Sequence, residues 1–337
     1  MEAATKGTTR LRQAFTAADI LARINRRHLE VAPADRQLPS WPESARGVPN
    51  SMLRSALFGA IKRGKRRYME REPIACRRGV SIFYTGLRLD QPDLDVWAGV
   101  LHLARLERPG NRIEFSERKL LRLIGRGGPT GHNIGKSDRE WLRKVLARLN
   151  GAVVDVVQEP YGYHGRLIDE VFPSNGGGRW AVVLDPQIRV LFNAETWTAI
   201  DWAVRRVLIG HPLAQWLHGF YSTDAAPLAY RVETLHRLCG SEAGANAKTD
   251  VERKKALHDW VGDSLQPALE AVQRACGPAG QSFLFDIRGD GLVNVIRTPS
   301  ASQQRHLHRR ASSARNIDDT RGDRTRPQGG IEPDARG

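Results

Sequence analysis

The residues best able to do chemistry are few, and their spacing sorts them. Residues 131–138, GHNIGKSD, contain the Gly-Lys-Ser end of a phosphate-binding loop. That loop needs a first glycine five residues before Gly135, and a strand that aims it at a helix mouth. Position 130 is threonine, Gly131 comes one residue late, and residues 119–125 carry a helical pattern. Nucleotide hydrolysis is therefore not expected, although Lys136 and Ser137 open a helix whose N-terminus suits a phosphate. His306 and His308 imitate the paired histidines of metal-dependent nucleases, which also need a third ligand and a tyrosine nucleophile. These two sit in a polar stretch among Gln303, Gln304, Arg309 and Arg310, while Tyr161 and Tyr163 fall in an expected turn. His211, His218, His236 and Cys239 offer no short pair with ligand spacing. No Ser-His-Asp set or carboxylate pair stands out. The chain is expected to be no enzyme and to use no metal or cofactor.

Charge is the stronger signal. Across 337 residues, 52 Lys and Arg face 37 Asp and Glu, a formal net charge of +15. Such an excess favours a polyanion through counterion release and steering. Two expected helices concentrate it. One spans 137–149, with Trp141, Leu142, Val145, Leu146 and Leu149 in an apolar stripe and Arg139, Arg143, Lys144 and Arg148 on the other faces. The other starts near 250 and carries Arg253, Lys254, Lys255 and His258. Each follows a shorter helix and a glycine-bearing turn, and each precedes a hairpin. Arginine and lysine on such faces contact phosphates and read guanine edges in the major groove. His164 and Arg166, in the hairpin after the first helix, are placed to reach the backbone or the adjacent groove.

The elements that must hold these helices read as follows. A basic amphipathic helix lies within residues 11–29, able to meet nucleic acid or membrane but expected to dock on the protein itself. Prolines at 33, 39, 42 and 49 make a stiff connector, so 1–48 reads as an arm. Helices are expected at 51–62, 93–106 and 196–209, and strands at 79–85, 111–115, 152–158, 166–172 and 179–184. Ser116 caps a short helix that stops at Gly125. Further on come a helix at 212–221, a short helix at 232–238, a long one at about 250–276 that Pro267 kinks or breaks, and a hairpin at 282–297. Helix, strand, helix, helix, hairpin is the element order of a winged helix. The expected fold is therefore α+β, with tandem winged-helix domains at 49–193 and 194–297. Residues 298–337 lack large apolar side chains and read as a disordered tail. No apolar run approaches the ~20 residues a membrane span needs, and the charged start lacks a signal-peptide core. Three scattered cysteines suit a reduced, cytoplasmic setting with no disulfide framework.

Several segments carry a resemblance. LPSWPESARGVPN, LRSALFGAIKRGKRRY, IFYTG, LDVWAGVLHLAR, IDWAVRR, PLAQWLHGFYST and VETLHRLCGSEAG run in order through residues 38–296. Together they resemble the TrfA-type plasmid replication initiators and, more loosely, the iteron-binding Rep initiators. The resemblance implies a protein that binds origin repeats (iterons) as a monomer and helps open neighbouring AT-rich DNA, exposing single strands. It also implies recruitment of the host replicative helicase alongside the host initiator DnaA, with dimers limiting copy number. By the same resemblance, residues 137–149 and about 254–275 would enter the major groove. Members can carry a sliding-clamp peptide of the form Gln-Leu-x-Leu-Phe. Here that place reads Gln37-Leu38-Pro39-Ser40-Trp41 and lacks the apolar pair, which weakens the basis for a clamp contact. Gln281-Ser282-Phe283-Leu284-Phe285 matches better but is expected to face a core. A winged-helix transcriptional repressor or copy-number regulator is the other class this pattern allows.

Overall fold

The computed structural model describes residues 37–305 and 307, apart from 62, 63, 65, 108, 109, 111, 129, 130, 159, 160, 174–177, 194 and 195. The chain opens with β1 (Ala45–Pro49), α1 (Asn50–Leu53), β2 (Phe58–Gly59), β3 (Tyr68–Ile74), β4 (Ser81–Leu87) and β5 (Leu89–Asp90). Next come α2 (Gln91–Ala104), β6 (Ile113–Ser116), α3 (Glu117–Leu123) and α4 (Lys136–Asn150). The strands β7 (Val153–Gln158), β8 (Tyr161–Arg166), β9 (Glu170–Pro173) and β10 (Arg179–Val183) follow. After β11 (Trp197–Asp201) come α5 (Trp202–Val207), α6 (Pro212–Ser222), β12 (Tyr230–Arg231), α7 (Val232–Leu238) and α8 (Asp250–Trp260). A π-turn, Val261–Leu265, joins α8 to α9 (Gln266–Cys276), and β13 (Phe283–Ile287) with β14 (Leu292–Arg297) closes the fold. The architecture is mixed α+β.

One order of elements occurs twice. In the first half α2, β6, α3, α4, β9 and β10 build an antiparallel sheet of order β6-β10-β9. In the second, α6, β12, α7, the α8–α9 helix, β13 and β14 build β12-β14-β13. The last strand lies in the middle of both sheets. The first copy alone carries an inserted hairpin, β7–β8, which extends β3 and β4 into a four-stranded sheet. Each half has its own apolar core. One gathers Trp97, Leu120, Leu142, Leu149, Ile168 and their neighbours, and the other Trp216, Phe220, Leu235, Leu269 and Val293.

Several expected elements differ. Residues 38–48 are not an arm: Leu38, Trp41, Ala45 and Val48 are buried, and β1 pairs with β11. The apolar run at 51–62 makes only one turn of helix before β2, because Phe58 and Gly59 pair in parallel with Leu89 and Asp90. The start of the helix expected at 196–209 is β11, and the core boundary falls between Trp202 and Val204. Strand β3 lies where the sequence pattern predicts no element. Residues 161–165, read as a turn, are part of β8 and pair with β7. The tail does not begin loose: Gln303 donates to Ser222 O (2.9 Å) and Thr298 N to Ser282 O (3.0 Å), which holds residues 298–305 against the second half. The 11–29 helix and the tail beyond 307 lie outside the described residues. Pro267 acts as foreseen. It has no N–H for the turn before it and crowds the carbonyl four residues back, and the helix widens into the π-turn just there.

The halves are joined through buried polar groups. Arg205 on α5 is 1% exposed; its Nε donates to Asp95 Oδ1 on α2 (2.5 Å) and its Nη2 to Gln91 Oε1 (3.0 Å). Gln215 on α6 donates to the other Asp95 oxygen (3.0 Å). Burial pushes the Asp95 carboxyl up, against the pull of Arg205 and Gln215. Trp216 Nε1 donates to Ser55 O (3.1 Å), and Arg54 and Arg77 share Asp224. Replacing Asp95 with alanine strands a buried guanidinium, so Asp95→Ala is expected to cost about 3–5 kcal/mol. The double variant Arg205→Met/Asp95→Leu should recover much of that loss. Urea unfolding of both checks it.

His218 lies in the second core with Nδ1 unpartnered among the described residues. Burial, with Arg205 and Arg297 adding repulsion, drives its imidazole from 6.5 to about 3. Below 6.5 the unfolded chain therefore binds a proton that the folded chain refuses, and stability falls as pH drops through that window. The expected slope from this group reaches about 1.4 kcal/mol per pH unit. Urea midpoints at pH 7, 6 and 5 should show the wild type losing stability more steeply than His218→Gln.

Candidate nucleic-acid interface

The first basic helix is set by apolar burial and a glycine turn. Leu142, Val145, Leu146 and Leu149 of α4 are fully buried, each contributing roughly 1.5–3 kcal/mol. The turn from α3 needs positive φ at Gly125 (84°), Gly127 (95°), Gly128 (72°) and Gly131 (67°). At Gly127 there is also no room, since a Cβ would stand 2.8 Å from Ile134 Cγ1. Asp138 closes the N-terminus of α4 by accepting from Gly135 N (3.1 Å) and from Arg126 (3.0 Å), whose guanidinium lies 3.5 Å from the Trp141 ring centroid.

The cations expected on this helix divide by what they touch. Lys136, 92% exposed and 3.8 Å from Glu140, and the exposed Ser137 and Lys144 face solvent. Arg143 donates to buried Glu117 (3.0 Å), Arg139 approaches it at 3.9 Å, and Trp180 Nε1 donates to the same carboxylate (3.0 Å). Both arginines keep about half their side chains exposed. Arg148 turns inward: it is 13% exposed and donates to Asp93 Oδ1 (2.6 Å). Asp93 also receives Arg66 (2.9 Å) and caps α2 in a reciprocal box with Asp90. Burial, reinforced by Asp90, pushes the Asp93 carboxyl up to about 6.

Of the hairpin residues, His164 pairs with buried Asp155, which also takes Arg71 (2.5 Å). Arg166 is exposed at the end of β8. Both belong to the inserted hairpin, not to the β9–β10 hairpin that completes the repeated unit. Tyr163 is buried, its hydroxyl donates to Arg166 O (2.8 Å), and burial raises its pKa well above 10.0. It is closed to use as a nucleophile.

The second basic helix is held differently. In α8 only Trp260 is buried, and its ring meets His236 edge-on at 4.8 Å. Thr249 and Glu252 form a reciprocal cap at its start. Arg253 pairs with Asp250 (2.5 Å) and Lys255 with Asp259 (3.0 Å), all exposed, while Lys254 and His258 also face solvent. His218 and Cys239 are buried and His236 half-buried, and no group of three metal-type ligands occurs among the described residues. Phe283 of the second clamp-like peptide is buried, as expected, while Leu284 is exposed.

Sequence reasoning missed the cations of α3. Arg118, Lys119 and Arg122 are exposed opposite buried Leu120 and Leu121. The helical phase of that short segment already separated them.

The stretch that contains both cationic helices matches a known family. The family model for TrfA protein matches residues 14–266, and the chain belongs to this family of plasmid replication initiators. A relative from Escherichia coli, "Plasmid replication initiator protein TrfA", is 27% identical over 247 residues, 67% of this chain. The chain spans 62% of that relative's length. Two solved structures of domains 2 and 3 of RctB are similar at 10% identity, with TM-scores of 0.43 and 0.39. They cover 70% of this chain and 92% and 93% of their own. No helix among the described residues is long and apolar enough to cross a membrane.

The division of the cations makes a direct test. Removing Arg148 leaves Asp93 short of a charged donor, so Arg148→Ala is expected to lower stability by about 1.5–3 kcal/mol. Lys144→Ala should stay within about 0.5 kcal/mol of wild type. Denaturant unfolding of the two variants compares them.

Proposed function

We propose that this chain is a non-enzymatic initiator that binds iteron repeats of a plasmid origin through tandem winged-helix units. The observation that carries the reading is the twofold occurrence of one element order and one strand order, each copy presenting an exposed cationic helix. In this reading β9–β10 and β13–β14 are the wings, and α4 and the α8–α9 helix are the recognition helices. Lys136, Ser137, Arg139, Arg143 and Lys144 face one major groove. Arg253, Lys254, Lys255 and His258 face the next along one duplex. Phosphate neutralisation supplies most of the affinity, and a few base-edge contacts supply selectivity. Arg148 positions α4, and His164 and Arg166 flank it from the inserted hairpin.

Family membership supports the later steps: opening of AT-rich DNA, recruitment of host helicase with DnaA, and a monomer–dimer balance that limits initiation. Footprinting on the plasmid's own origin is expected to show regularly spaced protected repeats, with permanganate-reactive thymines nearby on a supercoiled template. Protection without reactive thymines would assign the chain instead to an operator-binding regulator. Lys144→Ala and Lys254→Ala should each weaken binding and reduce the salt slope by about 1 if each contacts one phosphate. Unchanged slopes in both would remove these helices from the interface.

A further inference from the structure

An open cavity of about 610 Å3 lies between α3, β1 and α5, and five basic side chains line it: Arg46, Arg118, Lys119, Arg122 and Arg206. Its wall is fixed. Trp202 donates through Nε1 to Leu123 O (2.8 Å) and through its backbone N to Ser44 O (2.9 Å). The Arg46 guanidinium stacks 4.9 Å from the Trp202 ring centroid. Arg206 lies against Gly125, where a Cβ would stand 2.8 Å from its Nε. Arg122 is tethered across the turn by a bond from Nε to Gly131 O (2.9 Å).

The acid at this cavity is already committed. Glu43, its one lining carboxylate, pairs through one oxygen with His102 (2.8 Å) and through the other with Arg105. Arg46 is 3% exposed, and its Nη1 donates to Glu43 O (2.8 Å) and Ala45 O (2.7 Å). Its Nε, equally buried, meets no acceptor among the described residues. Burial lowers Arg46 to about 10; Glu43 opposes the shift, while Arg105 and Arg206 add repulsion. Cations converging on one cavity call for an anion with several acceptor oxygens.

We infer that this cavity is a phosphate-binding site, set apart from the two basic helices, with Arg118, Lys119 and Arg206 at its mouth and the Arg46 guanidinium, stacked on Trp202, in the wall behind them. Its volume has room for a phosphodiester with its flanking sugars. The group is supplied either by the backbone of the duplex beside α3 or by a free phosphate. The first source rests on the DNA-binding reading above, and the second does not.

The test uses the full chain, the exposed double variant Arg118→Ala/Arg206→Ala, and Arg46→Met. DNA affinity is measured against salt on origin and scrambled duplexes, and melting temperature in inorganic phosphate against chloride at equal ionic strength. A backbone phosphate in the site is expected to leave the double variant with a salt slope about 0.9 shallower and an unchanged preference for origin DNA. Arg46→Met, if it melts cooperatively, should do the same. A free phosphate is expected to leave the slope unchanged but raise the wild-type melting temperature, with no rise in either variant. Unchanged slope together with no phosphate-dependent rise overturns the site. Equal wild-type affinity for origin and scrambled DNA would instead overturn sequence-specific recognition, and leave the phosphate arm standing.

Discussion

Two buried carboxylates, two residues apart on α2, organise the molecule. Asp93 and Asp95 point about 200° apart around the helix, so one faces α4 and the other faces the second half. Asp93 takes Arg148 and so fixes the inner side of the first basic helix. Asp95 takes Arg205 and Gln215 and so fixes α5 and α6. Neither pair is chosen for raw stability, since burying both charges costs several kcal/mol that attraction only offsets. What the pairs supply is direction. An apolar contact at this seam would slide, whereas a guanidinium held by one Asp95 oxygen and by Gln91 has one arrangement. The orientation of each cationic helix in the first half relative to the second descends from this single helix.

The same logic explains why a net charge of +15 does not mean that every arginine is available. Arg66, Arg148 and Arg205 are held by buried acids, and Arg54 and Arg77 close on Asp224. These hold the fold. Pairs such as Lys255 with Asp259 or Arg253 with Asp250 are exposed, and exposed pairs are worth about 0–1 kcal/mol. A phosphate can displace such an acid at little cost. Arg139 and Arg143 stand between these cases: buried Glu117 fixes one end of the Arg143 guanidinium and lies 3.9 Å from that of Arg139, and the exposed remainder of each stays presented outward.

Much of this was legible from the residues alone. The stripe of α4, the Ser116 cap and the stop at Gly125 all act over short distances, and they appear as read. The misreadings share a physical cause. Strand β11 reads as helix and residues 38–48 as an arm because β1 and β11 stabilise each other across most of the first half, beyond the reach of local pattern. Strand β3, with charged residues and a register shift at Arg71, has no clean alternation to find. The inward turn of Arg148 needed the position of Asp93, and the cavity at Arg46 needed β1, α3 and α5 together. Local periodicity could say which helices are basic but not which of their cations the protein consumes.

The two halves spend their shared design differently. Helix α4 is clamped along its length by four buried apolar residues and is held preorganised, so that a ligand meeting it would be spared its ordering entropy. Helix α8 buries only Trp260, and an isolated helix of its length is marginal in water. Its support is the Thr249–Glu252 cap at one end and the anchored α9 at the other, where Leu269 and Val272 are fully buried. The π-turn between them, imposed by Pro267, therefore sets where α8 points. Aim in the first half is decided by packing and aim in the second by backbone geometry, so changes at 261–267 redirect a helix without touching any residue that would meet a ligand.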